Sequence, residues 1–177
     1  METLDNNFGK NPNTPLVQPA IRYAIVFALV AIALFLIGYY ANIPQESWTW
    51  RLVGWAATIG LMIWMIKDFR DKKNGGFLRL GQGVGLSVLV GLFSSIITGV
   101  VMYIFMTAIA PGYMEQIQDQ AIINMENQGL SEEQIRQSLE ITNKIMTPGM
   151  IVFFGMIGSV IFYLILGLIF SAIFKRD

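Results

Sequence analysis

Four long apolar runs constrain this chain of 177 residues more than any other feature of its sequence. A helix that crosses the roughly 30 Å hydrocarbon core of a bilayer needs about 20 consecutive apolar residues. The hydrophobic share of 54%, against 14% charged residues, also favours lipid over water as the solvent. The predicted fold is therefore all-α, a polytopic integral membrane protein with four transmembrane helices. The predicted spans are residues 23–40, 48–66, 84–110 and 150–174.

The segment before the first span has the composition of a flexible tail. Residues 1–20 are rich in Asn and Pro and show no apolar periodicity, which is typical of chain outside a folded domain. We predict a flexible cytoplasmic tail at residues 1–20 and a transmembrane domain at residues 21–177. The first span could instead be the apolar core of a signal peptide, but no convincing small-residue cleavage site follows Tyr40. We therefore expect this span to stay in the protein.

Basic residues are distributed unevenly between the connections of the four spans. Cytoplasmic segments of membrane proteins retain Lys and Arg. If the N-terminus is cytoplasmic, that side holds nine basic residues and the opposite side three, and seven of the twelve acidic residues lie on the opposite side. The count predicts that both termini are cytoplasmic. The nine are Lys10, Arg22, Lys67, Arg70, Lys72, Lys73, Arg79, Lys175 and Arg176, and the three are Arg51, Arg136 and Lys144.

The connection at residues 112–147 is too polar to span a membrane, yet it is patterned. Apolar residues recur at helical spacing in its first half, at Met114, Ile117, Ala121 and Met125. Gly129 then breaks the run. Ser131, with Gln134 three residues later, is typical of a capped helix start, and Leu130 is placed to contact Ile135. We predict an extracytoplasmic loop that contains a pair of amphipathic helices.

The surfaces of these two helices indicate what they contact. The second helix has ion pairs in the favourable order, Glu132 with Arg136 and Glu140 with Lys144. Short amphipathic helices cannot bury their apolar faces on each other alone, and their acidity opposes adsorption to anionic lipid. We therefore expect four apolar side chains to contact protein, in this chain or in another subunit. They are Ile117, Met125, Ile135 and Leu139.

Small residues recur every four positions along the third span. The stripe consists of Gly83, Ser87, Gly91, Ser95 and Gly99. The fourth span has a partial counterpart, interrupted by Tyr163, at Gly155, Ser159, Gly167 and Ser171. Small residues let helix backbones approach closely in a membrane. The stripes favour packing of the third span on the fourth within one chain, and a contact between identical chains is the alternative.

Residue types that most enzymes use are missing from this chain. It has no Cys and no His, which excludes thiolate and imidazole catalysis and the common zinc and haem ligands. Gly81-Gln82-Gly83-Val84-Gly85 runs directly into a span, so it lacks the strand or the Lys of a phosphate-binding loop. No catalytic, cofactor or metal residue is predicted, and neither a nucleotide nor a nucleic acid is expected. The carboxylates of the connection fit a solvated surface: Glu115, Asp119, Glu126, Glu132, Glu133 and Glu140.

Several short motifs in a fixed order resemble one known family. They are Asn74-Gly75-Gly76-Phe77, Gly81-Gln82-Gly83, the small-residue third span, and Gly129-Leu130-Ser131-Glu132-Glu133-Gln134-Ile135. The chain after its tail resembles the domain-of-unknown-function 4199 family, small inner-membrane proteins of Bacteroidota-type bacteria. The resemblance implies four spans and a multi-pass location in a bacterial inner (cytoplasmic) membrane, and it implies no activity, ligand or catalytic residue.

Two functions agree with this sequence. The first is a non-enzymatic scaffold or accessory subunit that contacts the lipid bilayer and another membrane protein. The alternative is a small channel or transporter subunit that associates with copies of itself, since small-residue stripes permit tight self-assembly.

Overall fold

The computed structural model describes residues 15–44 and 47–176, with the backbone alone for residues 142–145. Two of the helices in this part of the chain continue into π-helical turns, at Phe69–Lys73 and Phe105–Ile109. The α-helices are α1 (Val17–Tyr40), α2 (Trp48–Asp68), α3 (Leu80–Ile104), α4 (Tyr113–Asn127), α5 (Glu132–Ile145) and α6 (Pro148–Phe174).

Four of these helices are long and apolar enough to cross a membrane. They are α1, α2 with its π-helical turn, α3 with its π-helical turn, and α6. The predicted all-α fold, a polytopic membrane protein with four transmembrane helices, is confirmed. The helical pair predicted between the last two spans is also present, as α4 and α5.

α1 begins before the predicted first span. It starts at Val17, so the last four residues of the predicted tail are helical. Pro19 is compatible with this start, because the first turn of a helix has amide groups without helical partners and proline lacks that group. Pro15 and Leu16 precede the helix, and residues 1–14 of the predicted tail lie outside the described residues.

The basic segment that follows the predicted second span, which ends at residue 66, continues the helix as far as Lys73. The amide of Asn74 donates to the carbonyl of Phe69 at 2.9 Å, a spacing of five residues that defines a π-helical turn. Gly75 and Gly76 then adopt φ values of 64° and 89°. Glycine takes positive φ values without strain, so Gly75 and Gly76 end the helix here.

The chain divides into two compact units, residues 1–98 with 158–177, and residues 99–157. In the first unit, α1 and α2 are antiparallel neighbours. The rings of Tyr23 and Trp64 lie 5.4 Å apart near one end of the pair. Near the other end, a Cβ atom on Gly38 would lie 2.8 Å from Nε1 of Trp50.

The buried core of the first unit lies toward one end of its helices. It comprises Ala20, Tyr23, Ala24, Phe27, Met62, Met65, Ile66, Phe69, Leu78, Leu86 and Val90. Large apolar side chains elsewhere on the spans stay exposed, among them Leu29, Trp55 and Ile169. Lipid is as apolar as these side chains, so helix association depends on close packing and hydrogen bonds rather than on apolar burial.

Candidate functional site

The small residues of α3 lie directly against α6 in the first unit. A Cβ atom on Gly83 would overlap the hydroxyl of Ser171 and lie 2.8 Å from its Cβ. One on Gly167 would lie 2.6 Å from the Cβ of Ser87. A step of four residues forward along α3 thus matches a step of four back along α6. The two helices are antiparallel, and they lie so close that neither Gly83 nor Gly167 has room for a Cβ atom.

Tyr163 continues this contact. A Cβ atom on Gly91, one step further along α3, would lie 2.7 Å from the Cβ of Tyr163. The Tyr163 ring also lies 5.6 Å from that of Phe27 on α1. The space left by Gly91 therefore accommodates the tyrosine that the sequence pattern treated as an interruption.

Serine hydroxyls at this interface bond mostly within their own helices. Ser87 donates to the carbonyl of Gly83 at 2.8 Å, and Ser95 donates to that of Leu92 at 2.9 Å. The hydroxyl of Ser171 is buried and has no hydrogen-bond partner among the described residues. It faces the Cα of Gly83, where a weak C–H···O contact is available.

The outer parts of the two stripes differ from each other. In the second unit, a Cβ atom on Gly99 would lie 2.8 Å from Cγ1 of Val152. Gly155, predicted as part of the α6 stripe, is exposed, and a Cβ atom there would meet nothing within 4 Å. Ser159 is half-buried. The four-residue period on α6 therefore does not bring every small residue into helix contact.

The second unit contains α4 and α5, hereafter the helical pair. α4 ends in a Schellman motif: Gly129 has a φ of 78°, and its amide donates to the carbonyl of Glu126 at 2.9 Å. The amide of Leu130 donates to the carbonyl of Met125 at 3.2 Å. These bonds satisfy carbonyls that a helix end leaves free. The break predicted at Gly129 is confirmed.

The start of α5 is the predicted capping box. The amide of Ser131 donates to Oε1 of Gln134 at 2.9 Å, and the amide of Gln134 donates to the Ser131 hydroxyl at 3.4 Å. Two amides that lack helical partners are thereby satisfied. Local hydrogen bonds of this kind fix where the two helices begin and end.

One predicted ion pair on α5 forms with a different partner. Arg136 pairs with Glu133 at 3.1 Å, where the sequence predicted Glu132. Glu133 also accepts a hydrogen bond from Gln137 at 3.1 Å. Positions three and four residues before Arg136 are both within reach on a helix, so spacing alone does not select one. The predicted pair of Glu140 with Lys144 falls on a side chain outside the described part.

The apolar side chains of the helical pair fall into two groups. Ile135 is buried, with 8% of its surface exposed. The other three side chains predicted to contact protein are half-buried: Ile117, Met125 and Leu139. Ile123 and Ile141 are 45% and 62% exposed. Sequence reasoning missed these two because it followed the best-aligned apolar stripe. The sequence did contain a signal for them, because Ile123 and Ile141 are apolar residues that lie outside that stripe.

Carboxylates are dispersed over the helical pair. Within the part of the chain that the structure describes, no three acidic side chains approach closely enough to hold a metal ion. Glu133 bonds Arg136 and Gln137. The other carboxylates lie on exposed positions: Glu115, Asp119, Glu126, Glu132 and Glu140.

Charged residues from four parts of the chain gather at one end of the first unit, hereafter the basic end. The hydroxyl of Tyr23 on α1 donates to Oδ2 of Asp68 on α2 at 2.7 Å, and Lys72 pairs with Oδ1 of the same carboxylate at 2.6 Å. This network ties the start of α1 to the end of α2. The basic residues of this end are Arg22, Lys67, Arg70, Lys72, Lys73, Arg79, Lys175 and Arg176.

The end of α6 is attached to the same region. The ammonium of Lys67 lies 5.2 Å from the centre of the Phe174 ring, a cation–π geometry. Leu78 and Arg176 form an antiparallel bridge through two backbone hydrogen bonds of 2.9 and 3.0 Å. The sequence predicted that these basic residues share one side of the membrane. The contacts bring the end of α2, the segment before α3 and the end of α6 together at one end of the unit.

Comparisons with known proteins identify the family of this chain. Neither the curated proteins nor the solved structures give a match. Residues 22–176 match the model of a family described as "Protein of unknown function (DUF4199)". This range contains the four spans except for the first turn of α1, and it also contains the helical pair. The family predicted from the short motifs is confirmed, and the chain belongs to the DUF4199 family of proteins of unknown function.

Proposed function

We propose that this chain is a non-enzymatic membrane protein, a scaffold or accessory subunit that contacts another membrane protein through the helical pair. One observation carries the proposal. Two capped helices stand between α3 and α6, and they expose Ile123 and Ile141 on an acidic surface. Exposed apolar side chains rimmed by polar ones mark an interaction site where they form a patch, and we propose that these two belong to one.

The length of this connection supports the proposal. Helices that are neighbours can be joined by two to eight residues, and ordering each further residue costs about 1 to 2 kcal/mol of conformational entropy. The residues between α3 and α6 instead form a Schellman motif and a capping box, which hold two defined surfaces. The excess of acidic residues on those surfaces suits a partner with a basic one.

The distribution of reactive groups supports the non-enzymatic part. The chain has no Cys and no His, and the carboxylates of the helical pair are dispersed over exposed positions. General acid–base catalysis needs a side chain held within hydrogen-bond reach of the reacting group. Carboxylates that are dispersed and solvated are better suited to binding a protein partner than to catalysing a reaction.

A small homo-oligomeric channel or transporter subunit is the second candidate. Gly155 and Gly158 are exposed on α6, with open space beside both, and small residues on a span permit contact with a second copy. The longer stripe on α3 is already used against α6 in the same chain. The mass of the purified protein in a mild detergent separates the candidates, since a closed ring of copies favours the channel.

For the orientation, we propose that the basic end faces the cytoplasm of a bacterial inner membrane, with both termini on that side. The gathering of eight basic residues supports it, because basic segments are retained in the cytoplasm. The chain has no Cys of its own, so single cysteines report their own exposure. We expect Asn127→Cys to react with an impermeant thiol reagent in intact cells, and Arg79→Cys to react only after lysis. Labelling of Arg79→Cys in intact cells would contradict this orientation.

The contact surface is tested by Ile123→Ser combined with Ile141→Ser. We expect this double variant to insert and fold as the parent does, and to lose the proteins that co-purify with the parent from native membranes. Ile173→Ser is the control, because Ile173 is as exposed as Ile141 but lies near the end of α6. Recovery of the same partners by the double variant would count against this surface.

A further inference from the structure

A cleft at the basic end lies between the start of α1 and the end of the π-helical turn that follows α2. It is lined by Pro15, Gln18, Pro19, Arg22 and Lys73. Arg22 directly precedes the apolar run of α1, and Lys73 ends the helix of the second span. Basic side chains at the ends of spans extend to the level of the lipid headgroups. The cleft therefore opens at the depth where lipid phosphates lie.

The two cations of the cleft, Arg22 and Lys73, differ from the neighbouring basic side chains in their ion pairing. Lys72 pairs with Asp68, and Arg70 pairs with Asp71 at 2.6 Å. Within the described residues, neither the guanidinium of Arg22 nor the ammonium of Lys73 has an ion pair or hydrogen bond. Two positive charges from different helices thus face one cleft. The Asp68 carboxylate, which also attracts Lys73, is already paired with Lys72.

The backbone at the start of α1 adds to this positive field. Among the described residues, no side chain caps the helix, whose N-cap residue is Leu16. The amides of Val17 and Gln18 belong to the first turn, where amides lack helical partners and the helix dipole is positive. An anion in the cleft would be attracted by these amides as well as by the side chains of Arg22 and Lys73.

We propose that this cleft binds the phosphate group of an anionic phospholipid headgroup from the surrounding leaflet. Charge and hydrogen-bond donors favour a phosphate, and the depth of the cleft favours one that a lipid presents over one from solution. Pro15 and Pro19 offer apolar contact beside the charged groups. The proposal does not rest on the proposed function, because the helical pair takes no part in it.

The test uses the full chain purified in a mild detergent and native mass spectrometry to count bound lipids. Phosphatidylglycerol is titrated against the parent, with phosphatidylcholine as the neutral lipid and inorganic phosphate as the free anion. We expect phosphatidylglycerol to bind more tightly than phosphatidylcholine, and millimolar phosphate to leave it bound. Arg22→Gln and Lys73→Gln should each weaken phosphatidylglycerol binding about fivefold, which corresponds to about 1 kcal/mol per basic residue.

Arg79→Gln and Lys175→Gln are the matched controls. Each removes one positive charge from the same basic end without lining the cleft, and we expect each to change the affinity less than twofold. Arg22→Lys keeps the charge and should retain most of the binding, which separates lost binding from lost folding. Equal weakening by all four glutamine variants would overturn the site in favour of diffuse attraction. Displacement of the lipid by inorganic phosphate would overturn the assignment to a headgroup.

Discussion

Gly91→Leu is expected to lower the free energy of unfolding by about 3 kcal/mol, the upper end of the usual cost of overpacking a close contact. Even a methyl group at Gly91 would lie 2.7 Å from the Cβ of Tyr163. That atom is attached to the α6 backbone, so no side-chain rotation can move it away. The helices must separate, and α3 and α6 lose their packing on both sides of the substitution. Unfolding of the purified protein by increasing SDS in mixed micelles measures the change.

Gly60→Leu in α2 is the matched control for this prediction. It makes the same substitution in a span, but a Cβ atom at Gly60 would meet nothing within 4 Å. We expect stability to be unchanged or raised by up to about 1 kcal/mol, because glycine is a poor helix former. Equal losses from the two substitutions would mean that leucine is harmful in any span, and would contradict a specific α3–α6 contact.

An exchange of side chains gives a second check on the same interface. Gly83→Ser should destabilise the protein because its Cβ would overlap Ser171. Adding Ser171→Gly moves the side chain to the opposite helix and should recover most of the loss. Residues in direct contact typically show coupling energies of about 0.5 to 3 kcal/mol. Strictly additive effects of the two substitutions would count against this pairing.

The features that sequence reasoning predicted best are those set by residues close together in the chain. The Schellman motif at Gly129 and the capping box at Ser131 each involve residues fewer than six positions apart. The four spans follow from length and apolar composition alone. Such features depend on local hydrogen bonds and on solvent, so one sequence contains all the information that they need.

The features that it missed depend on contacts between distant parts of the chain. Tyr163 fits against Gly91 only once α3 and α6 are antiparallel in one register, and no period within α6 reveals this. The bridge of Leu78 with Arg176 likewise needs both helices in place. The π-helical turn at Phe69–Lys73 has no residue type that signals it, because it arises from a shift of backbone hydrogen bonds by one residue.

The candidate site likewise has some features that sequence reasoning predicted and others that it missed. The acidity and the two helices of the pair were readable from sequence, whereas the exposure of Ile123 and Ile141 was not. Helical periodicity shows which face of each helix is apolar. It does not show which residues of that face are covered by other parts of the chain. Ile135 is covered within this chain, so the residues left to contact a partner lie outside the predicted stripe.

Replacing residues 113–146 with a short Gly-Ser linker is expected to abolish partner co-purification while the chain still inserts into the membrane. Insertion should persist because the four spans lie outside this range. The contact of Gly83 and Gly91 with α6 belongs to the first unit and contains no residue of the helical pair. Affinity purification from native membranes, followed by identification of the co-purified proteins, measures the loss, and SDS unfolding shows whether the spans keep their packing.

Two partial replacements show which helix carries the contact, one with linker in place of residues 113–130 and one in place of residues 131–146. Because Ile123 lies on α4 and Ile141 on α5, we expect each to weaken co-purification and neither to reproduce the full loss. A linker variant that still captured every partner of the parent would show that the pair only connects α3 to α6. Recognition would then have to reside elsewhere, and the exposed basic side chains beside the bridge of Leu78 with Arg176 would be the next surface to test.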